Sequence, residues 1–410
     1  MNTKADSLLN SAQHGFCRGR STCTNLLESI NDWTLSIQYR HSVTVAYVDF
    51  SKAFDSVSHE KLIVRLASYG ICGNLLEWLR RFLNARTHQT RVGYSLSSVI
   101  KLLSGVVQGS GIGPLLFLSY INELAEILKR AEVIIKLFAD DVKLYAEIVN
   151  DCDAAKLQYA LNLLSEWAQI WQLSVSIDKC CILTVGSKPL SAPVDFSIGG
   201  NVLSHVSSCR DLGVVVSHDL KPTNHIRQMV AKAHQRANAI LRSFVSRDTE
   251  VLLRAFTVYV LPLLEYNSVV WSPQTKQDIE CIEQVQRRFT KRLPGLNSYS
   301  YESRLQRLNL ATLELRRLHI DLVWCYKIVF GVVDVNPNDF FKQASLNNTR
   351  GHMYKLYKQR HHTNVGASFF ASRVIDVWNY LPENIVDFSS LAAFQRTITL
   401  VDFNVFLKYV

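Results

Sequence analysis

The sequence lacks any run of about 18 apolar residues, the length that crosses a bilayer, so no membrane span and no membrane partner are expected. Residues 1–12 are polar and carry no signal-peptide core. The nine cysteines are scattered, with only Cys180 and Cys181 close together, and no Cys-x-x-Cys or Cys/His zinc spacing occurs. Reduced intracellular thiols are therefore the expectation, with neither a disulfide framework nor a zinc module. The glycine-rich stretch 105–113 contains no Gly-Lys-Ser/Thr, which excludes a Walker A phosphate loop. Internal repeats and low-complexity tracts are also missing. What is present is 410 residues of ordinary globular composition, 48% hydrophobic and 20% charged, enough for two or three domains.

Charge is unevenly distributed. Residues 1–220 hold 20 Lys and Arg against 20 Asp and Glu, whereas residues 221–330 hold 17 against 9. Most of the formal net charge of +10 thus sits in one C-terminal stretch, as suits contact with a polyanion. Arg287, Arg288, Lys291 and Arg292 fall within one helical pattern there. Residues one helical turn apart, Arg288 with Arg292 and Arg287 with Lys291, can form a basic face.

The chemistry concentrates at two places. Val133–Tyr145 reads as an apolar run, the adjacent carboxylates Asp140 and Asp141, and a second apolar run: a β-hairpin with the aspartates at its tip. Val43–Val48 reads as a buried strand that ends at Asp49. A charged residue at the inner end of such a strand is costly unless paired or bound to a cation. Two-metal phosphoryl transfer needs several carboxylates around cations roughly 3.5–4 Å apart. Asp49, Asp140 and Asp141 could supply that cage from two neighbouring strands.

Periodicity predicts helices near 59–69 (ended by Gly70), 74–84 and 152–171, the last with Leu157, Leu161, Leu164, Ala168 and Trp171 facing a core. A hairpin is predicted over 87–104, turning near Gly93, and strands beside Lys179 and near 194–198 and 212–216. Amphipathic helices follow over 224–247, 249–261, 275–292 and 312–330.

Several blocks occur in a fixed order: Gln13-His14-Gly15-Phe16 with Arg18–Thr22, Tyr47–Asp55, Gly105–Phe117, Phe138–Asp141, Trp171–Lys179, Asp211–Val215, Glu265-Tyr266 with Trp271–Pro273, and Val377–Pro382. This series resembles the reverse transcriptase of a non-LTR retrotransposon of the jockey-like, LINE type, over nearly the whole chain. The resemblance implies an α+β fold, a polymerase palm with an antiparallel sheet plus a helical thumb. Residues 1–40 would be partial fingers and 41–220 the palm, with 91–130 including the finger–palm connection and the motif B helix. Residues 221–330 would be the basic thumb and 331–410 a tail domain.

It further implies RNA-directed DNA polymerisation of dNTPs with an RNA template, a DNA primer and two Mg²⁺ ions, Mn²⁺ being an alternative. Asp49, Asp140, Asp141 and the Phe50 carbonyl would bind metal. Lys179, in the block similar to motif D, would protonate departing pyrophosphate as a general acid, with Asp178 pairing with it. Phe54, Gln108, Gly109 and Ala139 would line the nucleotide pocket, with Phe54 excluding a ribose 2′-hydroxyl. RNA-dependent RNA polymerases tend to carry a polar residue at that point, and Asp55 stands one residue late for the role. Asp55 is expected instead to anchor its loop through a local ion pair. Arg18 and Arg20 would lie near the template path, and the enzyme would act in the nucleus. The finger Lys and Arg that the family uses to grip the triphosphate have no counterpart in residues 1–12, and the resemblance would put the family's endonuclease upstream of the segment seen here. A chain that extends primers poorly alone, or a catalytically dead remnant that only binds nucleic acid, is the corresponding expectation.

Overall fold

The computed structural model describes residues 8–186, 194–344 and 351–408. It divides into two compact units, residues 1–25 with 40–207, and residues 26–39 with 208–410. Helix α1 (Thr22–Gln38) begins in the first and continues in the second.

The first unit is built on a five-stranded sheet. Strand β1 (Ser42–Val48) is its centre. After it come the short helices and hairpin strands α2 (Ala53–Ser56), α3 (His59–Ser68), α4 (Gly73–Leu83), β2 (Thr87–His88), β3 (Arg91–Val92), β4 (Ser95–Leu96) and β5 (Ile100–Lys101). Helix α5 (Gly113–Leu128), strands β6 (Ile134–Phe138) and β7 (Asp141–Ile148), helix α6 (Asp151–Trp171) and strand β8 (Cys181–Val185) complete the frame. The sheet order is 204–206, β8, β1, β7, β6; every pairing is antiparallel except Ser204–Val206 with β8.

One face of the sheet carries Ala46, Val48, Val142, Leu144 and Ile182, all buried against α5 and α6. Alternation along each strand puts these residues on one side, and burying a large aliphatic or aromatic side chain contributes about 1.5–3 kcal/mol. Helix α6 shows the expected spacing: Leu157, Leu161, Leu164 and Ala168 are buried. Trp171, at its end, is half-buried, with the Arg65 guanidinium 4.3 Å above its ring. Asn150 caps the helix by accepting from the Cys152 and Asp153 amides, while the Asp153 carboxylate accepts from the Asn150 amide. Helix α3 ends before Gly70, whose φ of 84° suits a residue without a Cβ.

The second unit is mostly helical: α7 (Thr223–Ser243), α8 (Thr249–Tyr259), α9 (Leu261–Glu265), α10 (Ser268–Trp271), α11 (Lys276–Lys291), α12 (Tyr301–Leu308) and α13 (Leu313–Val329), with further helices at Phe370–Tyr380 and Leu391–Thr397. Two sequence blocks some fifty residues apart meet within it. The Tyr266 hydroxyl donates to the Leu212 carbonyl at 2.9 Å, and Gly213 lies against the Tyr266 ring. No helix among the described residues is long and apolar enough to cross a membrane.

Candidate active site

The antiparallel ladder of β1 and β7 ends at Val48 opposite Val142. Asp49 follows the last paired residue of β1, and Asp141 is the first residue of β7. Asp141 pairs with Phe138, so the loop between β6 and β7 is only Ala139 and Asp140. Ala139 adopts a left-handed φ of 55°, which a tight hairpin demands and which costs a residue with a Cβ. Asp140 thus occupies the tip and Asp141 the strand start, rather than both standing at the tip.

A segment from the start of the chain holds this turn in place. Ala12 and His14 exchange backbone hydrogen bonds with Leu137 at 2.9 Å, forming a parallel bridge on the outer edge of β6. The Gln13 side-chain oxygen accepts from the Ala139 amide at 2.9 Å and from the Gly15 amide at 2.7 Å. Gly15 packs so closely that a Cβ there would stand 2.4 Å from the Ala139 nitrogen. Arg20 donates to the carbonyls of Ser11 and, at 2.9 Å, Gln13, pinning the same segment. Arg18 is exposed on the neighbouring turn.

Lys179 lies on the turn Ile177–Lys179 and donates to Asp49 Oδ1 at 3.1 Å. The Lys179 side chain is 64% exposed and Asp49 33%, so water screens the pair and it contributes little to stability. Asp178 was expected to hold this lysine; its carboxylate is exposed and Asp49 takes the role instead. Burial raises the Asp140 carboxyl above the usual Asp range. The Asp49 carboxylate adds to the rise; Asp140's own backbone amide and the Lys179 cation oppose it. Asp49, Asp140 and Lys179 therefore share one electrostatic environment. Among the described residues, no three His, Cys, Asp or Glu side chains group closely enough to form a ready-made metal cluster. A cation taking Asp49 Oδ1 would compete with the Lys179 ammonium. Phe50 bridges Val175 in the non-hydrogen-bonded position: Ser51 donates to the Ser174 carbonyl and Ser176 to the Asp49 carbonyl, both at 2.8 Å. That pattern turns the Phe50 carbonyl away from its partner strand.

Phe54 is half-buried. Its ring stacks on Phe117 of α5 at 4.2 Å and meets the exposed Phe16 edge-on at 6.4 Å. The glycine-rich loop docks beside it. Val106 donates to the Phe54 carbonyl and Gly105 to the Val57 carbonyl, each at 2.8 Å. A Cβ at Gly105 would come within 2.7 Å of the Asp55 carbonyl oxygen. Gln108 Nε2 donates to Asp55 Oδ1 at 2.7 Å. The anchor of Asp55 is thus a neutral amide rather than the expected ion pair. Gly109 follows with a φ of 81° and open space around its α-carbon, and Pro114 opens α5.

In the second unit, Arg288, Lys291 and Arg292 line a cleft of about 490 Å³ together with His234 and Asn238 of α7. Arg292 donates to Asn238 Oδ1 at 2.5 Å. Burial and the Arg288 cation hold His234 below the usual His range. Arg287 parts from this group: its guanidinium lies 4.7 Å from the centre of the Tyr301 ring.

Residues 1–216, more than half of the chain, match the family model described as reverse transcriptase (RNA-dependent DNA polymerase). The chain belongs to that family. Within it, the chain is 27% identical over 323 residues to the probable RNA-directed DNA polymerase from transposon BS of Drosophila melanogaster, covering 74% of this chain and 34% of the relative. It is 25% identical over 300 residues to the RNA-directed DNA polymerase from mobile element jockey of Drosophila funebris, covering 70% and 32%. These relatives support the jockey-like, LINE-type resemblance. The chain spans about a third of the length of the curated relatives it matches. Among solved structures, it is similar to telomerase from Candida albicans in complex with a fragment of telomeric RNA, with a TM-score of 0.37 and 10% identity over 73% of this chain and 55% of that one. Apo telomerase from Candida tropicalis gives 0.39 and 12% over 68% and 46%.

Proposed function

We propose that this chain is the polymerising part of the RNA-directed DNA polymerase of a jockey-like retrotransposon, adding dNTPs to a primer 3′-hydroxyl along an RNA template. The observation that carries this reading is that Asp49, Asp140 and Lys179 share one electrostatic environment beside the start of β7, where Asp141 stands. Residues 41–220 would serve as palm and 221–330 as thumb. The donor chemistry fits Mg²⁺: hard carboxylate oxygens, one of them with its carboxyl raised by burial and a neighbouring carboxylate, which a divalent cation would relieve. Asp49, Asp140, Asp141 and the Phe50 carbonyl would hold two such ions. When bound they supply charge stabilisation for phosphoryl transfer.

The chain's own residues do the positioning. Phe54, braced on Phe117, would floor the sugar site and leave no space for a 2′-hydroxyl. The Gln108–Asp55 hydrogen bond fixes the glycine-rich loop against the Phe54 turn, so Gly109 can present backbone to an incoming nucleotide. Lys179, beside Asp49 and open to solvent, would be the group that protonates the leaving pyrophosphate.

Primer extension on an RNA template, with dNTPs or NTPs and Mg²⁺, tests the proposal. It should be run on this chain and on the chain joined to the preceding residues of a jockey-type polymerase. Extension with dNTPs, abolished by Asp140→Asn, is the expected result. Nucleic-acid binding without extension in either protein would refute it and leave a binding-only remnant.

A further inference from the structure

Between α4 and the glycine-rich loop, the chain projects an arm that the catalytic reading leaves unused. Strands β2 and β5 pair, and β3 and β4 continue the same hairpin to a two-residue turn at Gly93 and Tyr94. The register slips by one residue between the two ladders, from Thr87 opposite Lys101 to Arg91 opposite Leu96, the mark of a bulge that adds twist. Gly93 takes a φ of 60°, as the first central position of such a turn requires.

No face of this arm is buried. Tyr94 at the tip is 100% exposed, and Val92, Leu96, Val99, Ile100 and Leu103 are all exposed as well. A long exposed apolar hairpin is a liability unless something covers it. Its charge selects the occupant. Arg86, Arg91 and Lys101 are its cations, and no Asp or Glu occurs between Glu77 and Glu123. A second copy of the same arm would bring like charges together, whereas a polyanion would not. Arg91 Nε donates to the Gly93 carbonyl at 2.9 Å, which holds its guanidinium beside the Tyr94 turn. A cation next to an aromatic ring with both faces free suits an unpaired nucleotide, because bases in a duplex are already stacked.

We propose that the arm 87–101 holds an unpaired nucleic-acid strand: Tyr94 stacks on a base, Arg91 meets a phosphate beside it, and Lys101, at the base of the hairpin, meets one further along the strand. This contact is separate from the carboxylate site and stands whether or not the chain polymerises. The test is anisotropy of a labelled single-stranded RNA of mixed sequence, and of the matching duplex, titrated with the 410-residue chain over a salt series. Tyr94→Ala should weaken single-strand binding between about fivefold and a hundredfold, the loss of one base–aromatic stack, with Tyr94→Phe restoring it and duplex binding unchanged. Arg91→Ala with Lys101→Ala should lower the log–log salt slope by about 1.4, or about 0.7 per lost phosphate contact. Because all three side chains are exposed, the variants fold. Single-strand affinity and slope equal to wild type in both variants would overturn the proposal. So would a concentration-dependent dimer in sedimentation that Tyr94→Ala dissolves while RNA affinity stays the same, which would assign the arm to a second copy.

Discussion

Replacing Gly15 with alanine tests how the Asp140 turn is held. The added methyl would stand 2.4 Å from the Ala139 nitrogen, 3.1 Å from the Phe138 carbonyl carbon and 3.1 Å from the Gln13 side-chain oxygen, where ordinary contact begins near 3.4 Å. Two of the three neighbours, the nearest included, are backbone, so moving a side chain alone cannot relieve the clash. Gly15 is not in the left-handed region, so the cost is steric rather than conformational. Restoring contact needs a shift of about 1 Å of the β6–β7 turn or of the 12–15 segment, and either strains the buried hydrogen bond from the Ala139 amide to Gln13. Overpacking of this kind costs about 1–3 kcal/mol. At about 2–4 °C per kcal/mol for a unit of this size, Tm should fall by ~2–12 °C. A displacement of about 1 Å at Asp140 should also cost on the order of a hundredfold in primer extension. Gly111→Ala is the control, since a Cβ there meets nothing within 4 Å and the backbone is not left-handed. Melting curves for both variants decide the matter. A Gly15→Ala protein that melts like Gly111→Ala and extends primers like the unchanged chain would show that the 12–15 segment does not position the turn.

Asp140→Asn should abolish extension and yet raise the melting temperature of the EDTA-treated chain at pH 7. A carboxyl raised by burial contributes stability at low pH that is lost as pH rises through its folded pKa, so the neutral amide removes a cost at pH 7 and little in acid; a lower Tm at pH 7 would contradict the burial. Phe54→Val should open space beneath the sugar and raise ribonucleotide relative to deoxyribonucleotide incorporation; unchanged discrimination in an active variant would return Phe54 to a packing role with Phe117. Arg288→Ala with Arg292→Ala should lower the log–log salt slope of RNA–DNA duplex binding by about 1.4–1.8 without changing sequence preference, because phosphate contacts position without reading bases. An unchanged slope would make the cleft between α7 and α11 a solvated surface.

The elements around the carboxylates were legible because each rests on local pattern. An apolar strand broken by charge, the spacing of Leu157, Leu161 and Leu164, and a glycine at the 87–104 turn each need only a short window of sequence. What was hidden are the partners, which are set by distance in space. Asp178 and Lys179 are neighbours in sequence, but they sit on a tight 3₁₀ turn, where successive side chains diverge by roughly 120°. Lys179 therefore reaches Asp49, 130 positions away, and Asp178 is left in solvent. Asp55 met an amide rather than a cation for a related reason. The missing Cβ of Gly105 lets the glycine-rich loop close onto the Asp55 backbone, and Gln108 is the side chain that this approach delivers. The Gln13-His14-Gly15 block had no visible task in sequence, because a glutamine and a glycine beside a histidine specify nothing alone. Their task appears only against the Ala139 turn, where one side-chain oxygen satisfies two backbone amides and one absent methyl allows the approach. The residues that set the geometry of Asp140 thus lie outside the motif that names it. A variant of this chain with every carboxylate intact would still lose its site if that buttress were displaced.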